Sequence, residues 1–353
     1  MRRVIVLFTL ILMTVQPCLG AELDVPGLDE VWRQAEEYGA GRDGSLKQGI
    51  SDLLSTAADQ VGMLLRASLS TAAKLVVVVL LCALAEGVRP EGGDGLRAVT
   101  IAGVLAITAL TMTDMAAMIG LGRDTMEKME GFSAVLLPVM AALTAAAGSV
   151  SAAAVHQGAT VLFSQLLITV MDRLLIPLVY SYVAVCCAYA AVGNPGLKKV
   201  GGLLKGAVTS ILTALLLAYV GYLTASGAVA GTVDAGTVKA AKMAISRAIP
   251  VVGGILADAS ESVLAGAGIL KGSVGAVGLI VVLAICLTPF LRLALQYLVY
   301  KCSAALCAAV AQPELVGLID AIGSAFGLVL GMTGAGALVL MVSLVSAIRT
   351  VVA

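Results

Sequence analysis

Apolar stretches too long and too free of charge for a water-soluble fold decide most of what this chain can become. Residues 75–85, 98–113, 132–155, 174–192, 207–223, 274–291 and 321–348 are almost without formal charge. Crossing a bilayer core of about 30 Å takes about 20 helical residues, and several of these runs reach that length. Lipid offers the backbone no hydrogen-bond partners, so a spanning chain must be helical or form a closed barrel. Barrel strands would alternate in short segments between turns. The runs here are continuous and rich in Leu, Ala and Val, which selects helices. Charged residues make up 12% of the chain, against about 25% in soluble domains, so there is too little polar material to coat a water-facing surface. Mean hydropathy, +1.04, agrees. The expectation is an all-α, polytopic integral membrane protein with about six to nine spans behind an N-terminal signal peptide.

The termini and polar segments divide the chain. Arg2 and Arg3 precede an apolar run from Val4 to Val15, and Pro17-Cys18-Leu19-Gly20-Ala21 offers small residues for cleavage, so residues 1–20 read as a signal peptide. Residues 21–66 then begin on the non-cytoplasmic side, with a polar, loop-like part at 22–48. An amphipathic helix follows, in which Ile50, Leu53, Leu54, Ala57, Val61, Leu64 and Leu65 share one face. Residues 67–230 form an N-terminal transmembrane bundle and 273–353 a C-terminal one, separated by a polar, extracytoplasmic or re-entrant segment at 231–272. Arg89, Arg97, Lys198, Lys199 and Lys205 are placed in the cytoplasm by the excess of basic residues on that side. A span over about 98–119 would emerge into an outer loop holding Arg123, Asp124, Glu127, Lys128 and Glu130. The stretch 157–192 reads either as two short spans meeting at Asp172-Arg173 or as a re-entrant segment, with a kink expected at Pro177.

Nothing in the chain points to catalysis, a cofactor or a metal. His156 is the single histidine, too little for a triad or a histidine metal cluster. The glycines and Lys271 of 266–273 echo a phosphate loop but place the lysine wrongly. Apart from Cys18 in the signal, the cysteines lie in or beside apolar runs, where a thiol behaves as a small hydrophobe. A net charge of zero and few aromatics leave no footprint for nucleic acid. The better candidates are ionisable residues within or beside spans, which are costly there and often functional: Asp114, Asp172, Arg173, Lys301 and Asp320. Gly323, Gly327 and Gly331 recur every four residues and form an expected helix-packing face.

Residues 239–273 differ from their surroundings. Pro250 and Gly253-Gly254 break the helix, and Asp258 and Glu261 share a face beyond the bend. The run AISRAIPVVGGILADASESVLAGAGILKGSVG resembles the signature region of the bacterial stage III sporulation protein AE family. The layout of signal peptide, acidic N-terminal segment, amphipathic helix and multi-span body is similar too. The resemblance implies a non-enzymatic component of the channel complex built between mother cell and forespore during endospore formation. It implies a location in the mother-cell-derived outer forespore membrane. Its partners would be the lipid bilayer, the other proteins of the stage III sporulation A operon, including a secretion-type ATPase and ring-forming proteins, and a forespore membrane protein. On this reading Pro250, Gly253, Gly254, Asp258 and Glu261 form a partner-docking bend. A self-sufficient secondary transporter or a structural anchor are the alternatives.

Overall fold

A computed structural model describes residues 28–37, 46–87, 95–146, 162–225 and 273–352, and every element among them is helical. We label them α1 (Leu28–Glu37), α2 (Leu46–Gly87), α3 (Gly95–Ala146), α4 (Leu162–Val192), α5 (Pro195–Ala225), α6 (Ser273–Cys307) and α7 (Pro313–Val352). Six of them, α2 to α7, are long and apolar enough to cross a membrane. The expected signal peptide at residues 1–20, His156 and the whole 231–272 segment lie outside the described residues.

Hydrophobic side chains on every face make α7 the axis of the bundle. Of its apolar 18-residue window within Pro313–Leu344, 94% is buried, against 22% for the corresponding windows of α2 and α5. A helix apolar all round must be enclosed, and α3, α4, α5 and α6 enclose this one. The others expose large apolar residues outward, among them Leu69, Leu81 and Leu84 of α2, and Leu105 and Met112 of α3. In a bilayer those side chains face lipid.

The helices meet through tight turns at one end. Gly193 closes α4 with φ +74°, the left-handed conformation that suits glycine, and its N–H bonds Tyr189 O at 2.7 Å. Asn194 Oδ1 accepts the Gly196 N–H at 2.8 Å, and Pro195 opens α5 where no backbone donor is needed. Residues 308–312 join α6 to α7, and Thr100 near the start of α3 donates to Gln312 of that turn. The start of α3, with Arg97, and the start of α5, with Lys198 and Lys199, therefore lie at this end.

Three sequence expectations change. Residues 123–130 are not a loop, because α3 runs unbroken from Gly95 to Ala146. Thr125, Met126 and Met129 face inward while Arg123, Asp124, Glu127 and Lys128 face out, so the charges ride on one side of a continuing helix. Residues 162–192 are one helix rather than two spans. At Met171–Leu175 it widens into a π turn, with Ile176 N–H bonded to Met171 O five residues back. Pro177 has no N–H and its ring crowds the preceding turn, which the widening accommodates. Finally, the polar N-terminal segment contains a short helix, α1, which buries Val31 and Ala35 against α3 and α6.

Candidate functional site

Exposed charge sets the level of the membrane. Arg123 and Asp172 pair at 2.5 Å with side chains 50% and 42% exposed, and Lys128 and Asp124 pair at 2.8 Å, 53% and 55% exposed. Four charges this exposed, gathered at one level, are costly against hydrocarbon, which puts the belt at a headgroup surface. From Ala98 to Gly122, α3 rises about 37 Å, and from Leu174 to Val192, α4 rises about 28 Å, each close to one bilayer core. The turns then mark one membrane surface and the belt the other. Beyond the belt α3 continues to Ala146 and α7 to Val352, and we call this helical extension the cap.

Within the slab, buried and half-buried polar side chains fasten the helices at two joints. In the first, Asp114 Oδ2 of α3 accepts from Gln296 Nε2 at 3.1 Å and from Tyr300 OH at 3.2 Å, both on α6. Ser68 Oγ of α2 donates to Gln296 Oε1 at 3.1 Å, so one carboxylate draws three helices together. Gln296 and Tyr300 are one turn apart and therefore share a face. The second joint holds α5, α6 and α7. Lys301 Nζ reaches Asp320 Oδ1 at 2.6 Å and Ser324 Oγ at 2.9 Å, and Lys205 Nζ reaches the same Ser324 Oγ at 3.3 Å. Tyr182 and Cys186 of α4 border it. Such joints matter more in lipid, where water cannot substitute, although each bond is worth only about 0.6 kcal/mol on average. A third contact lies in the cap, where buried Tyr219 of α5 stacks on Phe163 at 4.8 Å and its hydroxyl lies 2.7 Å from Ser343 Oγ.

The candidate charges thus fall into separate places. Asp114 anchors the first joint, Lys301 and Asp320 the second, and Asp172 with Arg173 the belt, where both line a cavity of about 200 Å³ between α3 and α4. Lys205, Ser324, Gln296 and Tyr300 were not singled out by sequence. The Gln-x-x-x-Tyr spacing on a largely apolar helix was the available signal. Of the expected packing glycines, Gly323 brings α7 against α6, since a Cβ there would sit 3.1 Å from Tyr300 Cβ, and Gly327 and Gly331 are buried. Two further close approaches were unforeseen: a Cβ on Gly122 would lie 2.7 Å from Val329 Cγ1, and one on Gly103 2.8 Å from Cys82 Sγ. The expected docking residues Pro250, Gly253, Gly254, Asp258 and Glu261 lie outside the described residues. Among the described residues no three His, Cys, Asp or Glu side chains gather as metal ligands. The cysteines described are free thiols.

Outside the membrane, α1 carries its own ion pair. Glu30 accepts from Arg33 Nε at 2.8 Å and from Gln34 at 2.9 Å. The Arg33 guanidinium, helped by Gln34, lowers the Glu30 carboxyl to about 2.

Six long apolar helices, a girdle of outward-facing apolar side chains and polar joints between the helices define a polytopic helical membrane protein. Comparison with known sequences names its kind. The model of the family described as "Stage III sporulation protein AE" matches residues 37–351, and the chain belongs to that family. It is similar to the Stage III sporulation protein AE of Bacillus subtilis (strain 168), with 27% identity over 224 residues. That match covers 62% of this chain and 54% of the relative, so it spans about half of the relative's length. No solved structure matches.

Proposed function

We propose that this chain is a multi-pass membrane component of the complex that links mother cell and forespore during endospore formation, working through assembly rather than catalysis. Family membership over residues 37–351 carries this reading. The geometry gives it a form. Basic residues favour the cytoplasmic side, so the turn end with Arg97, Lys198 and Lys199 faces the mother-cell cytoplasm. The belt and the cap then face the space between the two membranes, from the mother-cell-derived outer forespore membrane. There the cap and the 231–272 segment meet ring-forming partners and a protein of the opposite membrane, while the turn end meets a secretion-type ATPase. Pro250, Gly253, Gly254, Asp258 and Glu261 supply the docking bend.

The test combines sidedness with assembly. In a cysteine-free background expressed in the plasma membrane of vegetative cells, Asp124→Cys should react with an impermeant maleimide from outside the cell, and Lys198→Cys only after permeabilisation. Replacing Pro250 by Leu together with Asp258 and Glu261 by Ala should abolish co-purification of the operon partners and block spore formation while membrane insertion persists. Solute flux through liposomes holding the pure protein alone would overturn the assembly reading in favour of a self-sufficient transporter.

A further inference from the structure

Pro138 leaves a hydrogen-bond acceptor unserved inside α3, and a cavity lies beside it. Proline has no N–H, so the Ala134 carbonyl one turn back receives no helical donor. Ala134 and Pro138 both line a cavity of about 240 Å³ between α3 and α4, on the far side of the belt from the slab. Ser164 of α4 lines it too. That residue is 5% exposed, and its Oγ has no hydrogen-bond partner. A buried hydroxyl left unpaired is costly, which marks a place where a ligand atom would be held. Glu130, half-buried, lines both this cavity and the smaller one at the belt, and makes no hydrogen bond or ion pair to any described residue. The basic residues of the belt, Arg123 and Arg173, line only the smaller cavity. Leu137, Pro138 and Ile168 give the larger one an apolar wall. A carboxylate and a carbonyl can only accept, and a hydroxyl can accept as well. Their complement is a cation bearing several N–H groups on an apolar stem. Glu130 opposes an anion. A bare metal ion needs a shell of oxygens rather than an apolar wall, and the cavity is far larger than one small ion or water requires.

We propose that Glu130, the Ala134 carbonyl and Ser164 hold a primary ammonium group in this cavity, with its alkyl stem along Leu137, Pro138 and Ile168. A free alkylamine and a lysine side chain of another protein share that chemistry. The site is independent of the sporulation reading, and a ligand reaches it without crossing the slab.

Gln165 is exposed and lines the cavity, so Gln165→Cys in the cysteine-free full chain, held in phosphatidylcholine nanodiscs, reports on an occupant. A bound amine slows labelling of that thiol by a maleimide, and the concentration giving half protection measures affinity. At constant ionic strength n-butylammonium should protect. Tetramethylammonium, which has the charge but no N–H, should be about tenfold weaker, and that comparison needs no further variant. Glu130→Gln should raise the half-protecting concentration of n-butylammonium about tenfold, through loss of a charge-assisted hydrogen bond. Ser164→Ala should raise it about fivefold. The same change should leave thermal unfolding of the free protein unchanged or higher, because no bond within the chain is lost, whereas a merely structural serine would lower it. Stronger protection by the peptide acetyl-Gly-Lys-Gly-amide than by n-butylammonium supports the site with a lysine side chain as its occupant. The reverse order supports it with a free amine. Equal protection by tetramethylammonium or by sodium, wild-type protection in Glu130→Gln, or a Gln165→Cys thiol that fails to react even without amine overturns the proposal.

Discussion

Gly122 sits where α3 presses on the buried axis of the bundle, and a single methyl group there tests that packing. A Cβ at Gly122 would lie 2.7 Å from Val329 Cγ1, well inside contact distance, with Thr333 Oγ1 at 3.5 Å. Val329 is buried, and as a β-branched residue in a helix it has essentially one side-chain rotamer, so it cannot swing away. Overpacking of this kind costs about 1–3 kcal/mol. The better helix propensity of alanine returns at most about 1 kcal/mol. Gly122→Ala should therefore destabilise the bundle by about 1–2 kcal/mol. Val329→Ala alone leaves a void and should cost about 2 kcal/mol. Together the new methyl occupies the space the old ones vacate, so the double variant should cost about 1–2 kcal/mol less than the two changes summed. Reversible unfolding in mixed micelles, with helical circular dichroism as readout, measures all four corners of the cycle. Additivity within about 0.5 kcal/mol would show that α3 and α7 do not meet at this contact.

Other joints give sharper contrasts. Asp114→Asn keeps an oxygen for Gln296 and Tyr300 and should shift stability by less than about 1 kcal/mol, whereas Asp114→Leu orphans both donors and should cost about 1–2 kcal/mol in the same assay. Tyr219→Phe removes a hydroxyl bonded to Val339 O at 3.1 Å and should cost about 1 kcal/mol, with the Phe163 stack retained. Trp32 on α1 is the single tryptophan of the chain, so its fluorescence reports on that helix. The Glu30 carboxyl is depressed to about 2 from 4.5, so the stabilisation it gives is fully present above about 4.5 and fades as pH falls through 2. Trp32 emission should stay constant from pH 8 to 5, and the change seen below about 4 should diminish in Glu30→Gln.

Hydropathy made the class of fold legible, because lipid imposes one demand on every stretch that crosses it. The ends of the helices were less legible, because the edge of the lipid and the end of a helix are different things. Arg123 to Glu130 read as a loop between spans, yet α3 passes straight through it. The inward spacing of Thr125, Met126 and Met129, with the Asp124–Lys128 pair one turn apart on the outside, was the sign of continuing helix. Asp172-Arg173 suggested a second turn for the same reason, where Pro177 needed only a widened one. Single charges in apolar runs were visible, but their partners were not. Nothing local ties Asp114 to Tyr300, 186 positions away, and Lys205 looked like one more cytoplasmic lysine. The packing glycines show the same divide, since spacing pointed to Gly323 but only the approach of Val329 distinguishes Gly122.

That the innermost helix follows in the chain the helices that enclose it has a consequence for biosynthesis. A ribosome delivers α7 to the membrane after all the elements that wrap it, so the earlier helices must wait around an unfilled centre. A nascent chain halted before residue 313 would leave the inward faces of α3 and α6 without their main companion. Premature termination should thus yield a loose collection of hairpins, vulnerable to membrane proteases, rather than a smaller version of the same bundle.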